Sequence, residues 1–93
     1  MNVKLVLVRY ITLSDRSYIS MAEFFIMKKY RRKGIGKSIA EQVFTIHKGQ
    51  WQIYQKESNR PAQVFWRKII ADYTNGQFKE RIEDGKRIQE FEI

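Results

Sequence analysis

The residues best suited to chemistry fall in one run, Tyr30-Arg31-Arg32-Lys33-Gly34-Ile35-Gly36-Lys37-Ser38. An apolar stretch, Phe24-Phe25-Ile26-Met27, precedes it, and Ile39, Ala40, Val43, Phe44 and His47 follow at helical spacing. Strand, basic glycine loop, helix is the order that builds an anion cradle. Gly34 and Gly36 let the backbone turn tightly and approach a ligand with no Cβ in the way. The first amides of a helix starting near Gly36 lack intrahelical partners and sit at the positive end of its dipole. A phosphate or pyrophosphate is the natural occupant. Lys28, Lys29, Arg31, Arg32, Lys33 and Lys37 surround the loop with positive charge, and no acid interrupts them.

Spacing separates the glycine-loop classes. A Walker A loop needs a glycine five residues before its Gly-Lys-Ser end, and here that position is Arg31. A dinucleotide loop needs a third glycine three residues after Gly36, and here that position is Ile39. Both patterns fail on a required residue. Arg31-x-x-Gly34-x-Gly36, placed after an apolar strand and opening a helix, resembles the acetyl-CoA pyrophosphate loop of the GNAT superfamily of N-acetyltransferases. Asn59-x-x-Ala62-x-x-Phe65-Trp66 is similar to a second segment of that family, Asn-x-x-Ala-x-x-Phe-Tyr. The resemblance covers roughly Val3 to Ile93 as the C-terminal part of a GNAT-like fold, without the N-terminal strand and helices.

The resemblance implies an acetyl-CoA-dependent N-acetyltransferase, with acetyl-CoA as cosubstrate and a primary amine as acceptor. It assigns pyrophosphate binding to Arg31, Arg32, Lys33, Gly34, Ile35, Gly36, Lys37 and Ser38. The backbones of Phe24 and Ile26 are expected to pair with the pantetheine arm, because the family's strand parts from its neighbour there. Asn59 is expected near the arm's amides, or else as a helix cap beside Pro61. Glu23 is the expected general base, since an ammonium must lose a proton before its nitrogen can attack a thioester. Its bland alternative is an ion pair with a nearby cation. Trp66 stands where the family often has a tyrosine acid, and an indole N–H only donates. Tyr54, Tyr73 or solvent are the substitutes.

The elements that must position these groups can be read from pattern. The 93 residues suggest one domain, 1–93. Val3–Ile11 is apolar on both alternating faces, the pattern of a central strand. Ser14–Ser17 is a turn, and Tyr18–Met27 resumes as a strand, giving an antiparallel hairpin. A helix from about Gly36 to Lys48 stops at Gly49. Trp51–Tyr54 is a short strand, expected parallel to the one before the helix. Ala62, Phe65, Trp66, Ile69, Ile70 and Tyr73 form an apolar stripe on a second helix, with Pro61 in its first turn. Gln77–Glu83 and Lys86–Ile93 form a hairpin across Asp84-Gly85, with Phe78 and Ile82 on one face. The order is ββαβαββ, an α+β class with a mixed sheet.

Composition sets the outer bounds. A net charge of +8 implies an anionic partner, whether nucleotide-like cofactor, acidic substrate or nucleic acid. Cysteine is absent, so disulfides and thiolate metal sites are excluded, which suits a cytoplasmic location. His47 is the single histidine and reads as structural, and no metal is expected. No stretch is long enough to span a bilayer. A non-catalytic CoA-binding or interaction module is the main alternative function. A nucleic-acid binder ranks last, because most aromatics fall where a core needs them. The uncovered sheet edge is expected to recruit a second copy or a partner chain.

Overall fold

The structure, a computed structural model, describes residues 4–13, 15–26 and 34–93, with backbone alone at 4–6, 13 and 22–26. The elements run β1 (Lys4–Leu13), β2 (Arg16–Ile26), α1 (Ile35–Ile46), β3 (Gln50–Lys56), α2 (Arg60–Thr74), β4 (Lys79–Glu83) and β5 (Lys86–Glu92). This is a small α+β domain with a mixed sheet of order β1-β2-β3-β5-β4. β2 and β3 are parallel, and the other neighbours are antiparallel. The last strand therefore inserts between β3 and β4, a placement the linear pattern did not indicate.

Local chemistry explains the boundaries. Gly34 takes a left-handed conformation (φ 71°) ahead of α1, and Asn59 caps α2 by accepting from the Ala62 amide at 3.3 Å, with Pro61 in the first turn. Asn75, at φ 54°, ends α2 in the left-handed region that asparagine tolerates. Asp84 and Gly85 both have positive φ, as a tight two-residue hairpin turn requires.

Both helices pack on one face of the sheet. Phe44 of α1 is fully buried and lies 4.9 Å from Trp51, 5.2 Å from Phe91 and 5.3 Å from Tyr73, ring centre to ring centre. Trp51 and Phe91 are register partners whose rings lie parallel at 6.2 Å, and the Trp51 indole donates to the His47 carbonyl where α1 ends. Ile19, Ala40, Ile53, Trp66, Ile69 and Ile70 complete the core.

The same face carries a polar network at its far end. Gln55 and Gln89 exchange amide hydrogen bonds, Gln89 also donates to Glu80, and Arg67 of α2 grips both Glu80 oxygens at 3.1 Å. Burial alone would raise the Glu80 pKa. Hydrogen bonds from Gln89 and Arg67, with the charges of Arg67 and Arg87, outweigh it and hold Glu80 below the usual carboxylate range.

On the opposite face, no helix covers the sheet among the described residues. Polar side chains on β3, β5 and β4 bond to one another there. Gln52 and Arg81 both donate to Glu90, Gln50 donates to Glu92, and Lys86 lies over the Tyr54 ring at 4.7 Å.

One expectation needs correction. Val3–Ile11 was expected to be central, but its strand β1 is an edge, paired only with β2, with Leu7 49% and Tyr10 66% exposed. Apolarity on both faces reports what a strand can bury, not where the sheet places it. Along β4, Glu80 and Ile82 stand opposite Gln89 and Arg87 on one face of the sheet, but β4 is exposed throughout, Ile82 by 59%, and of the pair Phe78 and Ile82 only Phe78 packs against the core.

Phe44→Ala is expected to cost about 3–5 kcal/mol, since the cavity would open between two helices and two strands; urea unfolding followed by tryptophan fluorescence measures it. Glu80 and Glu90 both have depressed folded pKa values against an ordinary value of 4.5. Their contribution is thus fully present above that value and is lost as pH falls through the lower folded ones. The thermal midpoint should hold steady above about pH 5 and fall below it, and Glu80→Gln should flatten that acid limb.

Candidate functional site

The site is built where β2 ends and α1 begins. The register of β1 and β2 steps from Leu7↔Glu23 to Val8↔Met21, which leaves Ala22 as an extra residue on β2. Such a bulge bends its strand and increases the local twist. β2 and β3 are in register at one pair, Ile19↔Trp51. From Ser20 to Ile26, β2 continues without a further register partner on β3, although β3 runs on to Lys56. The β3-facing backbone groups of that stretch are thus outside the sheet ladder.

Helix α1 is the next described element along the chain. Ser38 is the first residue whose amide is recorded bonding back along the helix, to the Gly34 carbonyl at 3.1 Å. By helix geometry, the amides ahead of it have no intrahelical acceptor. Among the described residues no side chain caps this end, and its first turn holds no acid. Among the described residues, nothing lies within 4 Å of where a Cβ on Gly34 would stand. Gly36 is buried. This is an anion-receptive end by geometry and by dipole.

The expected site residues divide into three groups. Gly34, Ile35, Gly36, Lys37 and Ser38 come together at the first turn of α1. Glu23, Phe24 and Ile26 lie on β2 just beyond the bulge, opposite Leu7, Val6 and Lys4, and their backbone alone is described. Arg31, Arg32 and Lys33, with Lys28, Lys29 and Tyr30, lie outside the described residues. Asn59 stands apart at the head of α2, its side-chain oxygen engaged by the Ala62 amide. Trp66 is buried in the core. The Tyr73 and Thr45 hydroxyls are hydrogen-bonded at 2.8 Å, and Tyr54 lies on the helix-free face.

One partner was invisible in the sequence. Asp72 of α2 accepts from the Lys37 ammonium at 2.9 Å. That hydrogen bond and its charge hold Lys37 above its usual range and Asp72 below its own. Lys37 is therefore partly neutralised, and the bond links the first turn of α1 to α2. The two residues are 35 apart in sequence, and no motif joins them. Ser38 accepts from the Gln42 amide at 3.2 Å, so its own hydroxyl hydrogen remains to be donated.

Elsewhere the surface offers less. A cleft of about 430 Å³ lies at the opposite end of the sheet, lined by Arg16, Gln50, Phe78, Lys79, Glu90 and Glu92 among others. Its carboxylates already accept from Arg81, Gln52 and Gln50. No cluster of metal-ligating side chains occurs among the described residues, and no described helix is long and apolar enough to cross a membrane. His47 follows α1 as its C-cap, and its Nδ1 is hydrogen-bonded to the Tyr10 hydroxyl at 2.7 Å. No family model matches the chain, and no curated protein matches it.

Asp72→Ala frees the Lys37 charge beside the bare helix end. It is expected to tighten binding of inorganic pyrophosphate about two- to fivefold at low ionic strength, with the gain fading as salt rises. Isothermal calorimetry on the single variant and on Asp72→Ala/Lys37→Ala measures it; the double variant should lose the gain.

Proposed function

We propose that this chain is a cytoplasmic acetyl-CoA-dependent N-acetyltransferase of the GNAT type. One observation carries the reading: Arg31-x-x-Gly34-x-Gly36 spans the junction of β2 and α1, and α1 begins there with a left-handed glycine and no side-chain cap. The parting of β2 from β3 after Ile19↔Trp51 supports it, because an extended acyl-carrying arm needs free strand backbone next to the phosphate site.

Acetyl-CoA supplies an activated thioester carbonyl. Amides at Gly34 to Lys37, with the Ser38 hydroxyl and the charges of Arg31, Arg32 and Lys33, hold the diphosphate. The backbones of Phe24 and Ile26 hold the arm as an added strand would. Glu23, at the entrance to that stretch, takes the proton from the acceptor amine, so that its nitrogen lone pair is free to attack. Trp66 fills the core, so the departing thiolate draws its proton from solvent.

The burial of Trp66 also favours a second reading, a CoA-binding module without turnover. Nucleic-acid binding by aromatic stacking has less to draw on, since Phe44, Trp51, Trp66 and Phe91 are buried.

Calorimetry with CoA should show binding that Gly34→Asp abolishes, since aspartate brings both a strained left-handed backbone and a negative charge to the site. With a panel of primary amines, thiol release from acetyl-CoA should occur, and Glu23→Gln should lower kcat by about a hundredfold with CoA affinity retained. Binding with no turnover for any amine would leave the module; no CoA binding, or binding unchanged in Gly34→Asp, would overturn both.

A further inference from the structure

The two edges of the sheet differ in kind. β4, at one edge, is five residues long, and four of them are charged (Lys-Glu-Arg-Ile-Glu). Short, charged edges discourage the addition of another strand. β1, at the other edge, is ten residues long and reads Lys-Leu-Val-Leu-Val-Arg-Tyr-Ile-Thr-Leu. β2 pairs along its whole length on one side, and no strand lies on the other side among the described residues. A strand with the composition of a sheet interior thus presents an open row of backbone donors and acceptors. Apolar side chains flank it: Leu7 and Tyr10 are exposed, and Tyr10 is tethered to His47 next to exposed Ile46.

Charge decides what fits there. β1 carries Lys4 and Arg9 and no acid, and Arg9 is exposed. The whole chain carries +8. A second copy would bring the same cations and the same net charge to the edge, whereas an extended acidic segment would meet opposite charge across the strand pair.

We propose that the free edge of β1 is a docking site for an extended partner polypeptide with alternating apolar and acidic residues, which adds as a sixth strand. Main-chain hydrogen bonds supply the fit, and the charge at exposed Arg9 selects the acidic partner. This inference stands independently of the CoA reading, because the edge lies on the far side of β2 from β3.

The test uses the full chain and a ten-residue peptide of alternating glutamate and valine, blocked at both ends, with amide exchange followed by NMR. With free peptide at ten times its Kd, alternate amides of β1 should exchange about tenfold more slowly. A peptide with lysine in place of glutamate, and one N-methylated on its pairing edge, should give no protection. Arg9→Glu should weaken the acidic peptide about threefold while the spectrum of the core stays native. Peptide contacts confined to the basic stretch 28–37, with β1 amides unprotected, would overturn the proposal. So would unchanged affinity in Arg9→Glu. A dimer by light scattering, with β1 amides already protected before peptide is added, would assign the edge to a second copy instead.

Discussion

The wedge formed by Phe44 is the constraint on which the rest of the structure depends. One ring on α1 touches rings on β3, β5 and α2, and all of its surface is withdrawn from solvent. Edge-to-face contacts with Trp51 and Phe91 fix the rotation of α1 as well as its height above the sheet. A second tie, from the Trp51 indole to the His47 carbonyl, holds the C-terminal end of the helix. With one end and one face fixed, the N-terminal turn has little freedom. The first turn of α1, with Gly34 ahead of it, is thus oriented by a core contact ten residues away in sequence.

The two faces of the sheet solve the burial problem differently. On the helix side, large apolar rings fill the centre, and a chain of amides and ion pairs from Gln55 through Gln89 and Glu80 to Arg67 closes the far end. Each buried amide there has a partner, which is the condition for placing polar groups in a core. On the other side, β3, β5 and β4 carry cross-strand pairs of opposite or complementary polarity that suit water. That half of the open face needs no cover, and the unmet pairing capacity lies at the edge of β1.

Function, as proposed, draws on a local defect. The extra residue at Ala22 bends β2 just after its single register pair with β3. A regular parallel ladder would have used the backbone of Glu23 to Ile26 internally; here Ile19↔Trp51 is the one register pair between β2 and β3 among the described residues. Asp72 adds a restraint, since its bond to Lys37 reduces the positive charge at the first turn.

By itself, the sequence determined the elements, their order and the hairpin partners, because these follow from local signals. Gly34, Gly49, Pro61 and Asn75-Gly76 set boundaries through backbone conformation, and the stripe from Ala62 to Tyr73 set the buried face of α2. The left-handed turn at Gly34 ahead of α1 was legible for the same reason: it is a property of local backbone. Tertiary structure alone decided what depends on distant pairing. The insertion of β5 between β3 and β4 put Gln89 against Gln55 and Phe91 against Trp51. Sheet order made β1 an edge although its composition suits an interior. The bulge at Ala22 and the Lys37–Asp72 pair arise from register and packing, which no spacing rule encodes, whereas the cap at Asn59 was one of the two roles its place before Pro61 allowed.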